Sequence, residues 1–148
     1  MFIYNPASNP LNQNEWSFPL LECIHIVGFA LSIGTIAIVD LRLLGLGMLG
    51  QKPSQLLKDT APWTLAGLAV MLTSGPLIAS SDPLMYYHNV SFRFKMVVLL
   101  LAILYNYTIH RKVVASDPSP GVGMAVGLLS LFLWVGTVAG GLFIAFVS

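Results

Sequence analysis

The sequence predicts an all-α protein: a four-helix transmembrane bundle. Two observations carry this expectation. Hydrophobic residues make up 56% of the 148 and charged residues only 9%, whereas a soluble domain carries about 25% charged residues. Such a chain cannot clothe a water-facing surface, and its mean hydropathy is +0.80. The apolar residues also gather into four runs, at about 18–48, 62–80, 91–112 and 121–147. Each is near the roughly 20 residues that cross ~30 Å of hydrocarbon. Helices satisfy their own backbone groups, as lipid demands. The length fits a single integral domain, 1–148.

The first run follows a polar tail, MFIYNPASNPLNQNEW, that has no Lys or Arg. A signal peptide begins with a basic region, so none is expected and the first helix stays in the protein. Prolines 53, 62, 83, 118 and 120 lie in or beside the expected linkers. Pro76 falls inside the second helix and is placed to kink it. The fourth run carries Gly123-x-x-x-Gly127 and Gly136-x-x-x-Gly140. Small residues four apart let helices approach closely, either within the chain or against a partner subunit or second copy.

Basic residues set the orientation. Arg42, Lys52, Lys58, Arg111 and Lys112 lie at one end of the helices, and Arg93 and Lys95 at the other. The positive-inside rule then puts both termini on the outer, periplasmic side. A net charge of +1 gives no argument for a nucleic-acid partner. The single Cys23 excludes an internal disulfide.

Ionisable residues inside the runs are the candidate functional groups, because they are costly in hydrocarbon. "LLECIHIVGF" places Glu22 and His25 in the first helix. From His25 to Asp40 is fifteen residues, as is Lys95 to His110. Each pair spans about 22 Å at 1.5 Å per residue. His25 and Lys95 should therefore share an outer depth, and Asp40 and His110 an inner one. The expected outer site holds Glu22, His25 and Lys95, with Arg93 and His88 near. The expected inner cluster holds Asp40, Asn106 and His110, with Arg42 and Arg111 at its rim. The same residues could instead be ion pairs that fix register, Glu22 with Lys95 and Asp40 with Arg42 or His110.

An imidazole inside a membrane bundle suits haem iron. His25 is the candidate ligand, Lys95 a sixth ligand or propionate partner, and Arg93 a propionate partner. His25 and His110 are too far apart to share one iron. Copper would need a second ligand, yet Cys23 lies two positions from His25 and so about 200° around the helix.

The segments "ExxHIVGFALSIGTIAIVDLRLLG", "PWTLAG" and "FRFKMVVLLLAILYNYTIH" resemble a family of small four-helix bacterial membrane proteins of unknown function. More distantly, the first and third helices look like those of HemJ-type protoporphyrinogen oxidases and of the copper-resistance D membrane domain. The HemJ likeness implies a haem b with His25 as ligand and Lys95 important. The chain departs from that pattern at Asn106, where a histidine is usual. The resemblance implies a multi-pass protein of the bacterial inner membrane. The leading expectation is a small cytochrome-like protein that binds one haem b through His25 and exchanges electrons with quinone or a membrane redox complex. The rivals are a non-enzymatic accessory subunit and a copper-handling protein.

Overall fold

The computed structural model describes residues 4–146, and among them every regular element is helical. Two short 3-10 turns, Pro6–Ser8 and Pro10–Asn12, precede α1, Ser17–Leu43. Then come α2, Pro53–Ala79, and the short α3, Pro83–His88. Next is α4, Val90–Ala115, whose fifth turn is a π-helical segment, Asn106–His110. The last long helix is α5, Pro120–Leu142, followed by a 3-10 turn, Phe143–Ala145. α1, α2, α4 and the α5 span are each long and apolar enough to cross a membrane. The molecule is a multi-pass membrane bundle.

Its two ends are tied by their own contacts. At the terminal end, Asn9 Nδ2 donates to Ser80 O at 2.7 Å and Asn12 Nδ2 to Ser81 O at 2.9 Å. Asn89 Nδ2 donates to Ile144 O at 2.9 Å there. At the opposite, basic end, Asp117 accepts from both the backbone N–H and the hydroxyl of Ser54, each at 2.9 Å. That carboxylate caps the first turn of α2, whose own N-cap residue, Lys52, makes no side-chain cap.

The helix bounds differ from those read off hydropathy. α1 ends at Leu43 rather than near 48, because Gly45 turns the chain with φ of +73°. The apolar stretch beyond it is loop. α2 begins at Pro53 rather than 62, so Pro62 lies inside the helix and not in a linker. The extra turns carry Gln55, Lys58 and Asp59, which hide them from a hydropathy reading. α4 runs to Ala115, and the expected end of the fourth helix at 147 falls outside the described residues. Pro53, Pro83 and Pro120 open their helices, where the missing N–H costs nothing.

In the bundle, α1 packs against α2 and α5, and α4 packs against α5. α1 and α2 meet with backbones touching: a Cβ built on Gly67 would stand 2.6 Å from Gly28 O and 2.6 Å from Ser32 N. Gly123 and Gly127 face Leu43 and the Asp40 carbonyl, and Gly140 faces Lys95. The small residues of α5 are thus packed against neighbours in the same chain. Ile36, Leu68, Met71, Leu99, Ala102 and Trp134 form the central apolar layer. Buried hydroxyls bond back to carbonyls of their own helices, as Ser32 to Phe29 and Thr137 to Leu133. Outward faces carry Val27, Leu72, Val97, Leu101 and Phe132, all exposed, as a lipid-facing surface requires.

Candidate functional site

Two polar levels lie inside the bundle. The level nearer the terminal end is built on His25. Its ring is half-buried, and Nδ1 lies 2.8 Å from Ser74 Oγ of α2. Ser74 itself donates to Val70 O at 2.6 Å. A hydroxyl with that acceptor and the imidazole as partners holds the ring in one orientation. Gly75, next along α2, makes the space: a Cβ there would stand 3.3 Å from His25 Cε1.

Lys95 approaches from α4. It is half-buried. Its stem lies in a notch made by two glycines of α5. A Cβ on Gly140 would come within 3.0 Å of Lys95 Cβ, and one on Gly141 within 3.4 Å of Nζ. Nζ also stands 5.8 Å from the centre of the Phe29 ring, within cation–π range. Helices two and five therefore both leave out side chains where His25 and Lys95 need room.

The other expected members of this site lie elsewhere. Glu22, Arg93 and His88 are exposed, and no Glu22–Lys95 ion pair forms. The His88 ring stacks edge-on to Tyr87, with centroids 5.3 Å apart. Just outside the spans, the Tyr86 phenol is pushed above its ordinary range by burial first, with the Glu22 charge adding to it. Cys23 is exposed. Among the described residues no three His, Cys, Asp or Glu side chains converge on a common point.

The second level is sealed. Asp40 and His110 are 0% and 1% exposed, and His110 Nε2 lies 2.6 Å from Asp40 Oδ1. Ser130 of α5 donates to Asp40 Oδ2, also at 2.6 Å. One carboxyl thus ties α1, α4 and α5. Among the described residues no Lys or Arg lies in ion-pair contact with an Asp or Glu, and Asp40–His110 is the only contact between a histidine and an acid. Asn106 is buried one turn before His110, in the π segment. Arg42 does not join the cluster; its Nε donates to Gln51 O in the first linker at 2.6 Å. Snorkelling toward the end of the bundle keeps that cation hydrated. Arg111 is exposed, with its guanidinium 6.0 Å from the centre of the Tyr107 ring.

A model for a family of unknown function (DUF6644) matches residues 18–147, nearly the whole chain. The chain belongs to that family. No curated protein and no solved structure matches it. Both polar levels of this DUF6644 chain lie within the matched residues, and the polar tail before α1 lies outside them.

Sequence spacing located His25 with Lys95 and Asp40 with His110. It offered no pairing for Ser74 or Ser130, and it passed over Gly75. A serine or glycine on an interior face is common in any membrane helix, so only contact geometry singles these out.

Proposed function

We propose that the protein is a small membrane cytochrome of the bacterial inner membrane, with both termini outside, binding one haem b through His25 and taking part in electron transfer. The observation that carries this is the tie between His25 Nδ1 and Ser74. A ligating histidine is normally fixed by a hydrogen bond at its other nitrogen. Here Nδ1 is held and Nε2 remains for iron. The residues fit the group in two further ways. Gly75 lets the ring lie close against α2, and Lys95 would serve a propionate as the ammonium or the iron as the neutral amine. Arg93, exposed nearer the terminal end, suits a propionate reaching toward water. Bound haem would supply one-electron chemistry, with quinone or a membrane redox complex as the exchange partner. The protein's own part is to orient the imidazole, keep the pocket dry and set the charge around it.

Purification from membranes grown with a haem precursor tests it. A Soret band that disappears in His25→Ala is the expected result. A colourless wild-type protein that binds no added haem rules it out.

A second reading, an accessory subunit of a membrane complex, is favoured by Glu22 and Arg93. Both stand exposed, and neither makes an ion pair. They would offer charge to a neighbouring subunit. Co-purification of a larger complex, lost in Glu22→Gln and Arg93→Gln but not in His25→Ala, would support it. Copper handling draws no support from the geometry, since Cys23 is exposed and the histidines stand apart.

A further inference from the structure

The Asp40–His110–Ser130 cluster has a free end. His110 is buried, yet its Nδ1 has no hydrogen-bond partner. An unpaired ring nitrogen in a sealed membrane interior is costly unless something visits it. His110 also lines a cleft between α1, α2 and α4, together with Thr35, Thr60, Thr64 and Asn106. Its enclosed space is about 20 Å³, room for about one water. Exposed Tyr107 and Arg111 form part of the same cleft, toward the basic end. The π segment that carries Asn106 and His110 is a helix irregularity of the kind frequent at functional sites.

From this juxtaposition we infer that the Asp40–His110 pair is a proton-binding site, loaded by water through the cleft at the basic end of the bundle. The exchange balances as follows. With the imidazole proton on Nε2 and the carboxyl ionised, a hydronium in the cleft gives its proton to Nδ1. The Nε2 proton then moves to Asp40 Oδ1. Water is returned, the imidazole stays neutral as its other tautomer, and the carboxyl becomes an acid. Ser130 keeps its bond to Oδ2 throughout. Threonine hydroxyls line the approach for that water: Thr35 Oγ1 lies 2.8 Å from Thr64 Oγ1, and Thr64 donates to the backbone carbonyl of Thr60 at 3.2 Å. Two other ionisable groups face the pair. Tyr105 of α4 donates its hydroxyl to Val126 O at 3.0 Å, and Arg111 of α4 stands at the cleft. α2 contributes only hydroxyl and aliphatic groups to the lining, and α5 contributes Ser130. A purely structural tie would need neither the unpartnered Nδ1 nor the hydroxyl-lined approach. Nothing in this site requires a haem.

Infrared difference spectroscopy of the detergent-purified protein tests it. The carboxylic C=O stretch of Asp40 is assigned by its loss in Asp40→Asn. In the wild type it should grow as the medium is acidified, and shift promptly on transfer to D2O. Ala61→Leu narrows the cleft without touching the pair. It should slow the D2O shift by about tenfold or more, because exchange then waits for local opening. Thr60→Val, which keeps the volume and removes a hydroxyl, should slow it with unchanged thermal stability, and serves if Ala61→Leu does not fold. A carboxyl signal that ignores the pH of the medium would overturn the proposal. So would exchange that is equally fast in wild type and in the folded cleft variants.

Discussion

Gly67 of α2 lies against Gly28 of α1 with no room for a side chain: a Cβ on Gly67 would meet Gly28 O and Ser32 N at 2.6 Å each. Both opposing atoms are backbone, which cannot rotate away. Gly67→Ala should therefore push the helices apart and lower stability by about 1–3 kcal/mol. Gly34, on the same helix as Gly28, has nothing within 4 Å of its own Cβ position. Gly34→Ala should be neutral or slightly stabilising. Thermal denaturation in detergent compares the two; equal midpoints would mean that the α1–α2 approach is not tight.

Ser74 acts through His25. If the imidazole is a haem ligand, Ser74→Ala releases its Nδ1 without changing the ligating atom. Haem affinity should fall by about 10–100-fold while the fold is kept. Titrating haem into the apo-protein reads this directly. Ser74→Thr keeps the hydroxyl and should restore most of the affinity, which a simple packing defect would not.

Asp40 and His110 share one buried bond, so removing either partner strands the other. Asp40→Leu or His110→Leu alone should cost about 3–5 kcal/mol. The double variant should cost less than the two together, with a coupling of about 0.5–3 kcal/mol. Chemical unfolding of all four proteins completes the cycle. Additive losses would show that the two side chains stabilise the bundle separately.

Asp117 predicts a pH effect at the basic end. The Ser54 backbone N–H first, then the Ser54 hydroxyl, hold its carboxyl below the ordinary value of 3.8, and the charges of Lys52 and Arg42 add to this. A lowered folded value means that the ionised form is favoured by folding. Its contribution is complete above pH 3.8 and fades as the pH falls through the lower folded value. Amide hydrogen exchange in the first turn of α2 should quicken over that acid range. Asp117→Asn should exchange faster at neutral pH and lose the acid dependence. The group is exposed, so a weak effect on global stability is expected.

The depth matches were legible because a helix is a rigid ruler. Fifteen residues separate His25 from Asp40 and Lys95 from His110, and that count carried directly into the Asp40–His110 contact. Helix limits were less legible, since hydropathy marks what lies in lipid and not what is helical. It ran past Gly45 into an apolar loop and missed the charged first turns of α2. Glu22 and Arg93 were expected inward because charge in a span usually turns inward. Each instead lies near the terminal end of its helix, where an outward side chain can still reach water. The π segment at Asn106–His110 leaves no trace in composition. Nor does the cap from Asp117 to Ser54, which joins the last linker to the first turn of α2 across 63 residues of chain.

The layer of Ile36, Leu68, Met71, Leu99, Ala102 and Trp134 stands between the two polar levels and holds no charge. Being apolar, it takes up part of any voltage across the bilayer. A charge carried past it would gain or lose about 2.3 kcal/mol for every 100 mV. The pair at Asp40 lies on one bank of that electrical step and the imidazole at position 25 on the other.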